Sequence, residues 1–166
     1  PETLDPSNGI NGFKFLLDSI KKEDCNVLFT YPNADSGSDL LLDMLENFIF
    51  ENQTKRKAVP SLGHKLYLSA LTLFEGVAGN SSSGIIEAPL VGIPVLNIGS
   101  RQRGRFKFGS VHDCSASPES INQGLKKILK DGSLQKLPRQ VKKDRLSPSS
   151  KIYNWISTHA KENKTF

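Results

Sequence analysis

The residues Val77-Ala78-Gly79-Asn80-Ser81-Ser82-Ser83-Gly84-Ile85-Ile86-Glu87-Ala88-Pro89 fall into three consecutive pieces. A short apolar run comes first, a cluster of glycine, asparagine and serine follows, and the last piece is compatible with a helix. This order predicts a strand, a tight turn and a helix.

The predicted turn has the composition of an anion site. Gly79 and Gly84 can adopt backbone angles that are closed to other residues, and a serine can cap the helix or leave its first amides to a ligand. These amides and the positive helix end attract phosphate. Glu87 lies one turn further on, where it suits ribose hydroxyls and indicates a nucleoside diphosphate. A capped turn that binds nothing is the alternative, and a Walker A loop is excluded because Ile85 follows Gly84.

The rest of the chain alternates between strands and helices. Strands are predicted at residues 25–31 (a buried parallel strand), 55–60, 76–78, 92–99 and Val111–Cys114. Helices are predicted at residues 7–22, 40–48, 64–73, 118–130 and 148–161, the last with Ile152, Trp155 and Ile156 facing inward. The alternation predicts one α/β domain over residues 1–166, with a parallel sheet covered on both faces.

Two further loops follow predicted strands. Asn33 lies in the first, which either faces a ligand or only caps the next helix. The second contains Arg101, Arg103, Arg105 and Lys107 and leaves the same edge of the sheet as the serine turn. Because arginine forks suit phosphate oxygens, an arginine of this loop could reach an anion held at the turn. The alternative is a basic surface loop without a function.

Composition narrows the function classes. The net charge is +5 and the pI is about 9.2, with many of the cations in residues 126–164, which form either a solvated face or a nucleic-acid surface. Cys25 and Cys114 are isolated, which fits a reducing cytoplasm, and no metal-ligand spacing occurs. No apolar run is long enough to span a membrane. The chain starts at Pro1, so we expect a fragment of a longer protein.

Three motifs together resemble the UDP-N-acetylglucosamine 2-epimerases, specifically the hydrolysing branch. They are the turn with its helix (residues 79–89), the strand at residues 92–99, and Arg101-Gln102-Arg103-Gly104-Arg105. The resemblance implies a C-terminal, Rossmann-like, three-layer domain of a two-domain fold like the GT-B glycosyltransferases. It also implies conversion of UDP-N-acetylglucosamine to N-acetylmannosamine and UDP, for sialic or nonulosonic acid synthesis.

The resemblance assigns roles to particular residues. Ser81 and Ser82 would hold the diphosphate, and Glu87 would accept the ribose hydroxyls. The remaining predicted UDP contacts are Asn33, Arg101 and the backbone of Val59 against uracil, with Asn80 and Arg105 as additional candidates. We expect no catalytic residue, metal or cofactor here, because the family's acid–base groups belong to the N-terminal half and its histidine would precede Pro1.

The expected partners are a UDP-sugar and the N-terminal domain of the same protein, with no membrane and no nucleic acid. Homo-oligomerisation and the choice between UDP-N-acetylglucosamine and a bacillosamine-type sugar are left open. Two alternatives compete: a GT-B glycosyltransferase half and a basic nucleic-acid-binding module. The expected fragment would bind UDP weakly without turning over substrate.

Overall fold

A computed structural model describes residues 9–32, 38–107, 109–130 and 148–159. Helices and strands alternate through these ranges. In chain order they are α1 (Ile10–Glu23), β1 (Val27–Thr30), α2 (Ser38–Phe50), β2 (Arg56–Val59), α3 (Gly63–Leu71), β3 (Val77–Gly79), α4 (Ser82–Leu90), β4 (Val95–Ile98), β5 (Val111–Cys114), α5 (Pro118–Leu129) and α6 (Pro148–His159). The predicted elements are all present, with bounds that differ by a few residues at some ends.

Every strand pair in the described residues is parallel, as the sequence predicts. β1 pairs with β2, and β3, β4 and β5 form a second sheet in that order. Val95 of β4 lies opposite Val77 of β3 on one side and Val111 of β5 on the other. The carboxyl ends of β3, β4 and β5 therefore open onto one edge, where ligands of open α/β sheets bind.

Side chains of β4 alternate between two apolar cores. Leu96 and Ile98 pack with α1, α2 and α5, and the same cluster takes in Val27 and Phe29 of β1. Val95 instead packs with α3 and α4 residues such as Leu71 and Ala88. The sheet of β4 thus has helices on both faces, which is the predicted three-layer α/β, Rossmann-like architecture, and the first core joins the two sheets.

The prediction that residues 25–31 form a fully buried strand is wrong. Val27, Leu28 and Phe29 are half-buried and Thr30 is exposed, whereas β4 is buried throughout. The reason is the pairing: within the described residues, β1 has a strand neighbour on one side only. An apolar run indicates that a strand can be buried, but its neighbours determine whether it is.

The inward orientation predicted for α6 is also wrong at Ile152, which is 59% exposed. A helical apolar period becomes a buried face only where another element packs on it. Neither apolar core of the described residues includes a residue of α6. The side chains of Trp155 and Ile156 lie outside the described part of the structure.

Membrane association through a spanning helix finds no support in the described residues. None of their helices has both the length and the apolar character that crossing a bilayer requires.

Gly124 tests how tightly α5 packs on β4. A Cβ at Gly124 would come within 2.3 Å of Cδ1 and 2.8 Å of Cδ2 of Leu96, which is only 1% exposed and cannot move aside. Overpacking lowers the free energy of unfolding by about 1–3 kcal/mol, and the better helix propensity of alanine offsets up to about 1 kcal/mol of this loss. We expect Gly124→Ala to lower the free energy of unfolding by about 1–2 kcal/mol in urea titrations.

Gly84→Ala is the matched control, because Gly84 is also helical. A Cβ there would lie 3.6 Å from Val95 and 3.7 Å from Val77, which is ordinary contact. We expect stability to be unchanged or raised by up to about 1 kcal/mol. Equal losses in both variants would contradict the packing explanation.

Candidate functional site

The turn between β3 and α4 has the geometry of an anion site. β3 ends at Gly79, whose φ of +147° favours glycine, as predicted for this position. Ser81 is the N-cap, with extended angles (φ −74°, ψ 144°), and α4 begins at Ser82. The first amides of α4 are therefore presented at the carboxyl end of β3, where the helix dipole favours negative charge.

The Ser81 side chain does not cap the helix. Its Oγ lies 3.0 Å from Oγ of Ser83 and makes no capping hydrogen bond. Ser81 thus leaves the first-turn amides of α4 to other acceptors. The special backbone role expected for Gly84 is wrong, because α4 starts early enough to place Gly84 inside the helix with a negative φ.

The arginine loop contacts this turn through Gln102. Nε2 of Gln102 donates a hydrogen bond to the backbone carbonyl of Asn80 over 2.7 Å. Arg101 and Arg105 are exposed on either side, while Gln102 is 2% exposed. The structure therefore brings together the turn and the loop that the sequence placed at one edge. Gln102 itself was not predicted, since an amide among arginines resembles any other polar loop residue.

Glu87 lies on α4 beside α3. Its side chain is 29% exposed, and Oε1 lies 3.4 Å from Nδ1 of His64. Tyr67, one turn beyond His64, hydrogen-bonds to Ser83. Burial raises the pKa of Tyr67, the charge of Glu87 adds to the rise, and the bond with Ser83 opposes it. The sequence did not single out this face of α3, although the spacing of His64 and Tyr67 places both residues on one side of the helix.

A polar network closes the end of β4. Asn97, 1% exposed, donates from Nδ2 to Oδ1 of Asp113 over 2.7 Å. Nζ of Lys107 lies 2.7 Å from both carboxylate oxygens of Asp113. Burial acts to raise the pKa of Asp113, but the hydrogen bonds from Lys107 and Asn97 outweigh it and lower the pKa. Lys107 is therefore committed to Asp113.

Two of the predicted UDP contacts, Val59 and Asn33, belong in the sequence to neither the serine turn nor the arginine loop. Val59 ends β2 in the other sheet, and its carbonyl accepts a hydrogen bond from the amide of Tyr31 over 3.1 Å. Its contact with uracil stays a prediction. Asn33 lies outside the described residues.

Metal and thiol chemistry find no support in the described residues. No three His, Cys, Asp or Glu side chains among them could hold a metal ion. Burial raises the pKa of Cys114 to about 11 and also raises the pKa of Cys25. Both thiols are free, and because the thiolate is the reactive form, neither is an effective nucleophile at neutral pH.

Comparison with known families identifies this arrangement. The model of the UDP-N-acetylglucosamine 2-epimerase family matches residues 1–150, which include the serine turn, Glu87 and the arginine loop. The chain belongs to the UDP-N-acetylglucosamine 2-epimerase family. Membership favours the epimerase interpretation over the glycosyltransferase alternative.

Curated relatives include hydrolysing epimerases. A GDP/UDP-N,N'-diacetylbacillosamine 2-epimerase (hydrolyzing) of Campylobacter jejuni is 33% identical over 77% of this chain and 33% of its own length. The polysialic acid biosynthesis protein P7 of Escherichia coli is 34% identical over 75% of the chain and 32% of its own length. A UDP-N,N'-diacetylbacillosamine 2-epimerase (hydrolyzing) of Legionella pneumophila is 27% identical over 70% of the chain and 30% of its own length. The chain thus spans about a third of the length of each of these relatives.

The Asp113 network predicts a dependence of stability on acid. Because the folded pKa of Asp113 lies below its ordinary value of 3.8, its contribution is complete above that pH and is lost as the pH falls through the folded pKa. We expect the wild-type chain to exceed Asp113→Asn in melting temperature by about 1–3 °C at pH 7, a small effect because the carboxylate is largely exposed. The difference should be smaller at pH 2.5 than at pH 7 in melts by circular dichroism. An equal difference at both pH values would contradict this role of the ion pair.

Proposed function

We propose that this chain is the UDP-binding half of a hydrolysing UDP-N-acetylglucosamine 2-epimerase. One observation carries the proposal: the N-terminus of α4, which Ser81 does not cap, lies against the arginine loop, with Glu87 further along the same helix. Donors for a diphosphate and an acceptor for neutral hydroxyls are thereby adjacent.

The diphosphate is proposed to bind at the start of α4. The backbone amides there and the hydroxyls of Ser81 and Ser82 would donate to the phosphate oxygens. Arg101 would contribute its guanidinium from the neighbouring loop, with Arg105 and the turn residue Asn80 as further contacts. The side chains of Ser81, Ser82, Arg101 and Arg105 are exposed and Asn80 is half-buried, so a nucleotide can reach them.

Glu87 is proposed to accept hydrogen bonds from the ribose. It lies five positions after Ser82, which is about 7.5 Å along an α-helix, a distance that fits a sugar next to a diphosphate. His64 Nδ1, 3.4 Å from the carboxylate, would help to orient it. Uracil would then lie towards the backbone of Val59, and Asn33 would line the same pocket.

The complete protein is proposed to release UDP and N-acetylmannosamine. A base removes the proton at the sugar C2, the anomeric C–O bond breaks with its electron pair leaving on UDP, and water adds to the resulting glycal. The groups that move these protons are proposed to lie in an N-terminal domain outside residues 1–166. In support, the relatives named as hydrolysing epimerases are about three times as long as the matched region.

The proposed product is a precursor of a sialic or nonulosonic acid. The proposed location of the reaction is the cytoplasm. The relative named for polysialic acid biosynthesis supports the product class, and the two free thiols fit a reducing compartment. A UDP-diacetylbacillosamine substrate is the second candidate, because two of the relatives are named for it.

Calorimetric or NMR titration with UDP tests the binding site. Ser82→Ala removes a donor to charged oxygens and Glu87→Ala removes the ribose acceptor. Hydrogen bonds that involve a charged group contribute about 1.5–3 kcal/mol, so we expect each variant to weaken UDP binding about tenfold or more.

Ser69→Ala and Glu75→Ala are the matched controls, since both residues are exposed and lie outside the serine turn and α4. Both should bind UDP as the wild-type chain does. Wild-type affinity in Ser82→Ala and Glu87→Ala would refute the proposed contacts, and absence of UDP binding by the unmodified chain would refute the site within this chain.

Product analysis tests the proposed division of labour. The purified chain, incubated with UDP-N-acetylglucosamine or UDP-diacetylbacillosamine, should release no free sugar above the enzyme-free rate, because the proton-transfer groups are proposed to lie elsewhere. The complete Campylobacter jejuni relative serves as the positive control. Release of N-acetylmannosamine by this chain would show that residues 1–166 contain the catalytic groups.

A further inference from the structure

Gln102 differs from the other residues of the arginine loop. It is 2% exposed, whereas Arg101 and Arg103 on either side are exposed. Its side chain crosses to the serine turn and donates from Nε2 to the carbonyl of Asn80 over 2.7 Å. The backbone carbonyl of Gln102 accepts a hydrogen bond from the backbone amide of Arg105 over 3.3 Å. Gln102 thus connects the loop to the turn.

The hydrogen bond to the Asn80 carbonyl constrains the direction of the next backbone amide, that of Ser81. The carbonyl of Asn80 and the N–H of Ser81 belong to one planar trans peptide group, in which they point in opposite directions. A donor that holds the Asn80 oxygen on the Gln102 side therefore turns the Ser81 N–H to the other side. That N–H belongs to the N-cap of α4, where an anion is favoured.

We propose that Gln102 is the positioning residue of the diphosphate site, a role that rests on the proposed UDP binding. It orients the Ser81 amide through the Asn80 carbonyl and, by the same buried anchor, holds Arg101 beside the turn. Gln102 does not contact the ligand, because its donor is committed to Asn80 and its side chain is buried.

The unpaired oxygen of Gln102 supports a role for its amide. Oε1 is buried and has no hydrogen-bond partner among the described residues. The reversed amide would place Oε1 against the Asn80 oxygen, so the observed orientation is the favourable one. An unsatisfied buried polar atom lowers the stability of the fold, and an apolar side chain of similar size would avoid this loss. The amide therefore contributes what packing alone would not, namely the donor to Asn80.

Two nearly isosteric variants test this role. Gln102→Met keeps the volume without a donor, and Gln102→Glu presents a carboxylate that repels both the Asn80 oxygen and a phosphate. UDP and uridine are titrated by NMR, because uridine lacks the diphosphate. We expect Gln102→Met to weaken UDP binding about tenfold and Gln102→Glu to weaken it further, with uridine affinity changed less than twofold in both.

Amide hydrogen exchange of the ligand-free chain provides an independent readout. The amides of Arg103 and Arg105 donate hydrogen bonds within the arginine loop that Gln102 anchors. Loss of the anchor should accelerate exchange at these two amides at least fivefold, while β4 amides keep their protection. Gln123→Met, at an exposed position on α5, is the matched control and should match the wild-type chain in every measurement.

The outcomes separate this inference from the proposed function. If the wild-type chain does not bind UDP, the proposed site is wrong, and unchanged exchange at Arg103 and Arg105 in Gln102→Met would overturn the anchor as well. If wild-type binds UDP and both variants bind it equally well, the positioning role is overturned. Equal losses of UDP and uridine affinity also overturn it, since a general structural defect would not distinguish the two ligands.

Discussion

Parallel pairing of β4 with β3 and β5 determines where the polar residues of the site meet. Because the three strands run in one direction, the serine turn after β3, the arginine loop after β4 and Asp113 of β5 all lie towards one edge. β4 is buried throughout and supplies side chains to both apolar cores. The helix layers on its two faces therefore hold this edge in place.

The cations of the arginine loop differ in their surroundings. Lys107 is neutralised by Asp113, and Asp113 is in turn bonded to buried Asn97. Arg101 and Arg105 of the same loop are exposed. One cation of this short loop thus secures the loop to β5, whereas the role proposed for the exposed arginines is to attract phosphate. The region that the family model matches contains both the turn and the loop.

The two kinds of recognition proposed for α4, of phosphate and of neutral hydroxyls, are separated along the helix. At its N-terminus the backbone presents donors, which suit phosphate, whereas Glu87 further along presents an acceptor flanked by His64. A carboxylate close to the first amides would repel an anion, and its displacement along the helix avoids this conflict. Gln102 is proposed to set the direction of one of these donors, the Ser81 amide, because it hydrogen-bonds to the carbonyl of the same peptide group.

The sequence by itself determined the order and type of the elements, the parallel class of the sheet and the turn at Gly79. These follow from local apolar periodicity and from glycine and serine chemistry within a few residues. Only the tertiary structure decided that β1 is half-buried, that Ile152 is exposed, that Gly84 is helical, and that Gln102 and Asn97 are buried beside the site. These properties depend on neighbours distant in the chain: Gln102 is anchored by the Asn80 carbonyl, 22 positions away. Burial and hydrogen bonding of this kind leave no periodic signal in the sequence.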